Sequence, residues 1–232
     1  MSVHKETLQI NLTQPALFDF SQTTRGAVEL FPEVWGALED LIAPKSSLRL
    51  AAIERLSQLR APSLSGLVVY LLATRLTDPD LTVRLRVIRA LGEVFSTDER
   101  GQSASEVVKG VLSSYLADMH PWTVSCLVEA SIFEPSAISQ IARLLNYCPK
   151  AASHLADILT DRKASLEERR RAAELIGKVG YLEAVPALER LQVRLAARLR
   201  GQQSMPFAPP PTPDEAELLP VVEQALRLLS IK

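Results

Sequence analysis

Apolar positions recur along this chain at helical spacing. Val83, Val87, Leu91 and Val94 fall at i, i+4, i+8 and i+11, which places them on one stripe of a helix. Shifted back by 35 residues the stripe reads Leu48, Ala52, Leu56 and Leu59. Shifted forward by 41, 44 more and 50 more, its first three positions read Val124, Val128 and Ile132, then Glu168, Ala172 and Ile176, then Leu218, Val222 and Leu226. A second kind of helix alternates with these: Leu64, Leu67, Val68, Leu71 and Leu72; Val107, Val108, Val111, Leu112 and Tyr115; Leu155, Ile158 and Leu159; Leu188, Leu191, Leu195 and Leu199. Prolines and capping residues punctuate the pattern. Asp78-Pro79-Asp80 stops one helix and caps the next, Ala43-Pro44 stands at a matching place, and so do Asp161 and Ser165. Pro32, Pro62, Pro121, Pro135 and Pro149 lie near helix starts, where a missing N–H costs little. The pattern predicts eleven helices, near 32–42, 46–59, 62–76, 80–96, 103–117, 121–133, 135–146, 149–160, 165–179, 182–200 and 214–230. Eleven is odd, and the helix near 135–146 is expected to break the pairing.

The fold class that follows is all-α, an α-solenoid of about five stacked helical hairpins. A single pair exposes an apolar face that only a neighbouring pair can cover. Small residues at Ala51, Ala52, Ala90, Gly92, Ala172, Ala173 and Gly177 are expected to let helices approach closely, and Gly180 to cap one. Two segments stand apart. Residues 1–30 read as an N-terminal extended arm, because Thr7 to Leu12 alternates polar and apolar like a strand with no partner in a helical chain. Residues 31–232 read as the repeat domain, with a Pro-rich loop at 201–213 that holds five prolines between Met205 and Pro213. That loop is expected to be a surface linker, with docking into an aromatic groove as the alternative.

The stretch Asp78 to Arg84 followed by Ala90-Leu91-Gly92 resembles a HEAT repeat, whose second helix reads roughly D-P-x-x-x-V-R with A-L-G beyond it. Ala172 to Gly180 followed by Glu183 to Leu188 is similar to the short HEAT-like repeats of bilin lyases, and Leu48-Arg49 with Ala52 and Leu56 is a weaker copy. The resemblance runs over about residues 30–230. It implies an armadillo-type superhelix whose second helices line an inner face. It also implies that Arg49 and Arg84, at the HEAT arginine position, tie to the Asp-bearing loop, with Asp78 and Asp80 available to Arg84.

Composition narrows the function. The 232 residues carry 26 Lys and Arg against 27 Asp and Glu, a net charge of −1, so a strongly basic nucleic-acid wrapper is excluded as a whole-chain reading. Apolar residues make up 47%, which marks a chain able to bury a core. No stretch approaches the roughly 18 apolar residues of a membrane span. Met1 to Phe20 holds no apolar signal core, so no secretory signal is expected. Two cysteines, Cys126 and Cys148, lack metal spacing and suit a reducing cytoplasm as core filler. His4, His120 and His154 are scattered, so no metal site is expected, and no cofactor either.

No nucleophile–base pair or glycine-rich phosphate loop is visible, so no catalytic residue is assigned and the chain is expected not to be an enzyme. The expected function is a non-catalytic scaffold or adaptor holding a protein partner. Candidate contacts are Arg86 and Arg89 on the helix near 80–96, Trp122 at a helix entry, Arg170 within Arg169-Arg170-Arg171, and Arg190, Arg194 and Arg198, which recur every four residues. Trp122 has two readings, an exposed anchor or, as favoured, a buried filler of an inter-repeat gap. Residues 161–200 hold ten basic and six acidic side chains. This basic stretch reads as a solvated face laced with Glu167, Glu174 and Glu189, or as a surface for a phosphate backbone or an acidic partner. Nucleic acid is an unfavoured partner given the few aromatics. The alternatives are a HEAT-like enzyme or enzyme subunit, lyase-like or DNA glycosylase-like, and a structural subunit of a larger assembly.

Overall fold

The computed structural model describes Val28 and residues 31–97, 103–204 and 213–230, with side chains at 28, 31–97, 103–200 and 216–230. The proposed N-terminal arm, Val28 apart, and residues 205–212 of the Pro-rich loop lie outside the described residues. Twelve α-helices and no strand occur among the described residues. They are α1 (Pro32–Asp40), α2 (Ser46–Gln58), α3 (Ala61–Leu64), α4 (Gly66–Ala73), α5 (Leu81–Val94), α6 (Glu106–Ala117), α7 (Pro121–Phe133), α8 (Ile138–Leu145), α9 (Ala151–Thr160), α10 (Leu166–Val179), α11 (Val185–Ser204) and α12 (Pro213–Ser230).

Local chemistry sets these boundaries. Asp80 caps α5, its carboxylate accepting the N–H groups of Thr82 at 2.9 Å and Val83 at 3.2 Å. Ser165 and Glu168 form a reciprocal capping box at the start of α10. Gly180 ends α10 at φ 93°, a left-handed turn that suits a residue without Cβ. The helix expected over 62–76 is broken. Ser65 takes an extended conformation, its hydroxyl accepts the Val68 N–H at 3.1 Å, and α4 starts afresh behind it. A mid-pattern serine that caps is invisible to periodicity, because apolar spacing continues across it. This break turns the expected eleven helices into twelve.

Packing follows two series of contacts. In one, α2 lies on α5, α5 on α8, α8 on α10 and α10 on α12. In the other, the 3-10 turn after α4 lies on α7, α7 on α9 and α9 on α11. Between the series, α1 packs on α2, α4 on α5, α7 on α8, α9 on α10 and α11 on α12. The helices outside this pairing are the short α3, which packs on α2, α4, α5 and α6, and α6, which packs on α3 and α4. The apolar stripe groups 121–133 with the helices near 46–59 and 80–96 and leaves 135–146 over; in the structure α8 stands between α5 and α10. The Val124, Val128 and Ile132 stripe misled because α7 buries Thr123, Val124, Cys126, Leu127, Val128, Ala130 and Ser131, residues from most of its circumference. One continuous apolar core runs from Val34 to Leu229.

Candidate interaction surface

Three arginines occupy the fourth position of α2, α5 and α10, and all turn inward. Arg49 donates through Nη1 to the Ala43 and Pro44 carbonyls at 2.9 and 3.0 Å. Its Nε and Nη2 grip both carboxylate oxygens of Asp78 at 2.8 and 2.7 Å. That bidentate bond is the main reason the Arg49 guanidinium holds its proton more tightly than usual. Arg84 donates through Nη1 to the Asp78 carbonyl at 2.9 Å and through Nη2 to Glu129 at 2.6 Å. Arg169 reaches back to the Leu159 carbonyl at 3.0 Å. Arg84 thus ties to the Asp-bearing loop as expected, through the Asp78 carbonyl and not through the carboxylate of Asp78 or Asp80. The Asp78 carboxylate serves the arginine of the preceding helix pair, and the Asp80 carboxylate is spent on the cap. The Val83 N–H first, then the Ser46 hydroxyl, hold the Asp80 carboxyl below the usual carboxylate range.

The outward cations are mostly matched within the molecule. On α5 the exposed residues are Thr82, Arg86, Arg89 and Glu93. Arg86 lies 3.8 Å from Glu54 of α2, and Arg89 pairs with Glu134 at the α7–α8 junction. The Ser136 hydroxyl, then Arg89, hold Glu134 below its ordinary range. Arg170 lies 3.3 Å from Glu167 and 3.6 Å from Glu217 of α12, while Arg171 lies 3.3 Å from Glu167 and 2.8 Å from Glu174. The Arg169 to Arg171 cluster is thus tied to carboxylates and a carbonyl of its own fold. Arg190, Arg194 and Arg198 are exposed beside the buried Leu191 and Leu195, and Arg190 donates through Nε to the Pro186 carbonyl at 2.9 Å.

Trp122 departs from the favoured reading. It is 63% exposed rather than buried. Pro121 fixes the first turn of α7, and His120 Nδ1 accepts the Trp122 N–H at 3.1 Å, which turns the side chain outward from the second helical position. Phe133 ends the same helix at 68% exposure. Eleven residues separate the two, which returns them to one face about 16 Å apart. Between them on that face stands Glu129, the partner of Arg84. Phe133 was missed by the sequence reading, although its i+11 spacing from Trp122 is the same spacing that identified the core stripes.

The seven expected contact residues occupy α5, α7, α10 and α11, and none of the hydrogen bonds or ion pairs described for them joins one to another. Among the described residues no group of three or more His, Cys, Asp or Glu is placed to hold a metal ion. Cys126 and Cys148 are buried free thiols, and burial pushes the Cys126 thiol up, away from the reactive thiolate. A cavity of about 500 Å³ opens between α11 and α12, lined by Val185, Gln192, Leu226 and Leu229 with Glu189 and Arg227. No described helix is long and apolar enough to cross a membrane. No protein-family model, curated protein or solved structure matches this chain.

Proposed function

We propose that this chain is a non-catalytic protein-interaction scaffold of the HEAT type. Its hairpins are α1/α2, α4/α5, α7/α8, α9/α10 and α11/α12, with α3 and α6 as additions. The reading is supported by the shared arginine position of α2, α5 and α10, and by the X-Pro turns Ala43-Pro44, Asp78-Pro79 and Glu134-Pro135 ahead of α2, α5 and α8. Two reduced, buried thiols suit a cytoplasmic setting.

The observation that carries the partner-binding role is the outward face of α7. Two large apolar side chains, Trp122 and Phe133, stand in water there. Isolated exposed apolar residues are common, but a tryptophan and a phenylalanine on one helical face make the kind of anchor pair that dominates protein interfaces. Arg86, Arg89 and Arg170, being paired already, set the register of the fold more than the affinity for a partner. Arg190 and Arg194 of α11 are exposed, form no ion pair among the described residues and would steer an acidic partner.

Affinity capture from the native source, on wild-type and W122A/F133A protein side by side, tests this. Thermal unfolding should be nearly unchanged, because both side chains are mostly solvated. Recovery of the specific partner should fall at least about 30-fold, the loss of one interface hot spot of ~2 kcal/mol. Equal recovery by the double variant would remove α7 as the binding face.

A further inference from the structure

The two ends of the helix succession carry faces of opposite character. At the first end, α1 and its flanks expose Phe31, Trp35 and Ile42, which are 53%, 54% and 72% accessible. The same helix holds Glu33, Glu39 and Asp40 and no basic residue. No ion pair to any of these three acids occurs among the described residues; the Glu39 carboxylate accepts the Trp35 indole N–H at 2.9 Å. At the last end, α11 exposes Leu182 just before its start and Val193 along its length, at 57% and 66%. It also exposes Arg190, Arg194, Arg198 and Arg200, with Glu189 as the one acid among its described side chains and Glu183 exposed next to Leu182. Among the described residues neither Arg190 nor Arg194 forms an ion pair.

We propose that the α1 face of one copy docks on the α11 face of a second copy, head to tail. The spans agree: Glu33 to Asp40 covers about 10 Å of helix and Arg190 to Arg198 about 12 Å. Each helix carries exposed apolar groups and charge, Glu39 standing one turn beyond Trp35 and Glu33 and Asp40 on the other edge of α1, and the signs are opposite. The contact joins two different surfaces, so each added copy leaves a fresh face of each kind, and assembly continues as an open chain or closes into a ring. A face this small lies below the area of a standard interface, so the association is weak and concentration-dependent. It rests on exposed charge, so salt suppresses it. The α7 face proposed above for a protein partner takes no part, and the two ideas stand or fall separately.

Sedimentation velocity of the full chain, from 10 µM to 1 mM and at low and high salt, reads the association. These concentrations are order-of-magnitude settings, about those at which weak interfaces assemble. Wild-type protein should grow in mass with concentration at low salt and revert to monomer at high salt. R190E/R194E alone and E33K/E39K alone should each associate at least about tenfold more weakly, since like charges then face each other. The chain carrying all four reversals should associate again, and so should an equimolar mixture of the two double variants. That rescue separates docking from misfolding. Three results would overturn the proposal: a wild-type protein that stays monomeric throughout, association that survives both reversals, or a monomer that assembles only once residues 1–27 are deleted. The last would show that the chain's own first segment covers α1.

Discussion

Arg49 and Asp78 illustrate how one side chain fixes the relation between two helix pairs. Their side chains are 8% and 1% exposed, so neither ion has water to fall back on. Removing the guanidinium by Arg49→Ala strands a buried carboxylate and two loop carbonyls, and urea unfolding should show a loss of about 3–5 kcal/mol. Arg49→Lys should recover only part of it, because an ammonium cannot grip both oxygens in one plane. The Arg84–Glu129 pair supplies the contrast. Glu129 is 58% exposed but Arg84 only 7%, so Glu129→Ala leaves a buried guanidinium with the Asp78 carbonyl as partner and should cost about 1–3 kcal/mol in the same titration, less than Arg49→Ala. The positions of these arginines were legible, since each stands fourth in a helix behind a turn. Their acidic partners were not. Asp78 lies 29 residues from Arg49 and Glu129 lies 45 from Arg84, and only packing decides such pairs.

At the scale of the helix, periodicity locates elements well and assigns their neighbours poorly. The α5 stripe of Val83, Val87, Leu91 and Val94 is buried throughout, as its spacing demands. The same argument failed for α7, because a helix covered on several sides satisfies any stripe drawn along it. The turn Glu134-Pro135-Ser136, which parallels Asp78-Pro79-Asp80, is the sequence signal that puts α8 next to α5. Close approach is equally local in cause. A Cβ on Gly177 would stand 2.9 Å from Ala225 Cα and 3.2 Å from Ala225 Cβ, both fixed atoms of α12. Gly177→Ala must push α10 and α12 apart, so overpacking should outweigh the gain in helix propensity and lower stability by about 1–2 kcal/mol. Gly36 in α1 has nothing within 4 Å of such a Cβ. Gly36→Ala should therefore raise stability by up to about 1 kcal/mol, and paired thermal melts should show the two variants moving in opposite directions.

Across the whole molecule, stability should be graded along the helix succession rather than shared evenly. In a stack each helix is held by its neighbours, and α10 touches α7, α8, α9 and α12 whereas α1 packs on α2. The Tyr181 hydroxyl adds a lock at the end of α10. It donates to the Leu145 carbonyl and lies 3.2 Å from that of Cys148, with burial pushing its ionisation well above the ordinary range. Native-state hydrogen exchange should find the Ala172 to Ile176 amides of α10 opening only with global unfolding. The Ala37 to Asp40 amides of α1 should open at a clearly lower free energy. Dilute protein at high salt is the right condition, since docking of α11 from a second copy would itself slow exchange in α1. Equal protection of α1 and α10 under that condition would mean that the chain unfolds as one unit, and that its ends are held by more than the neighbours described here.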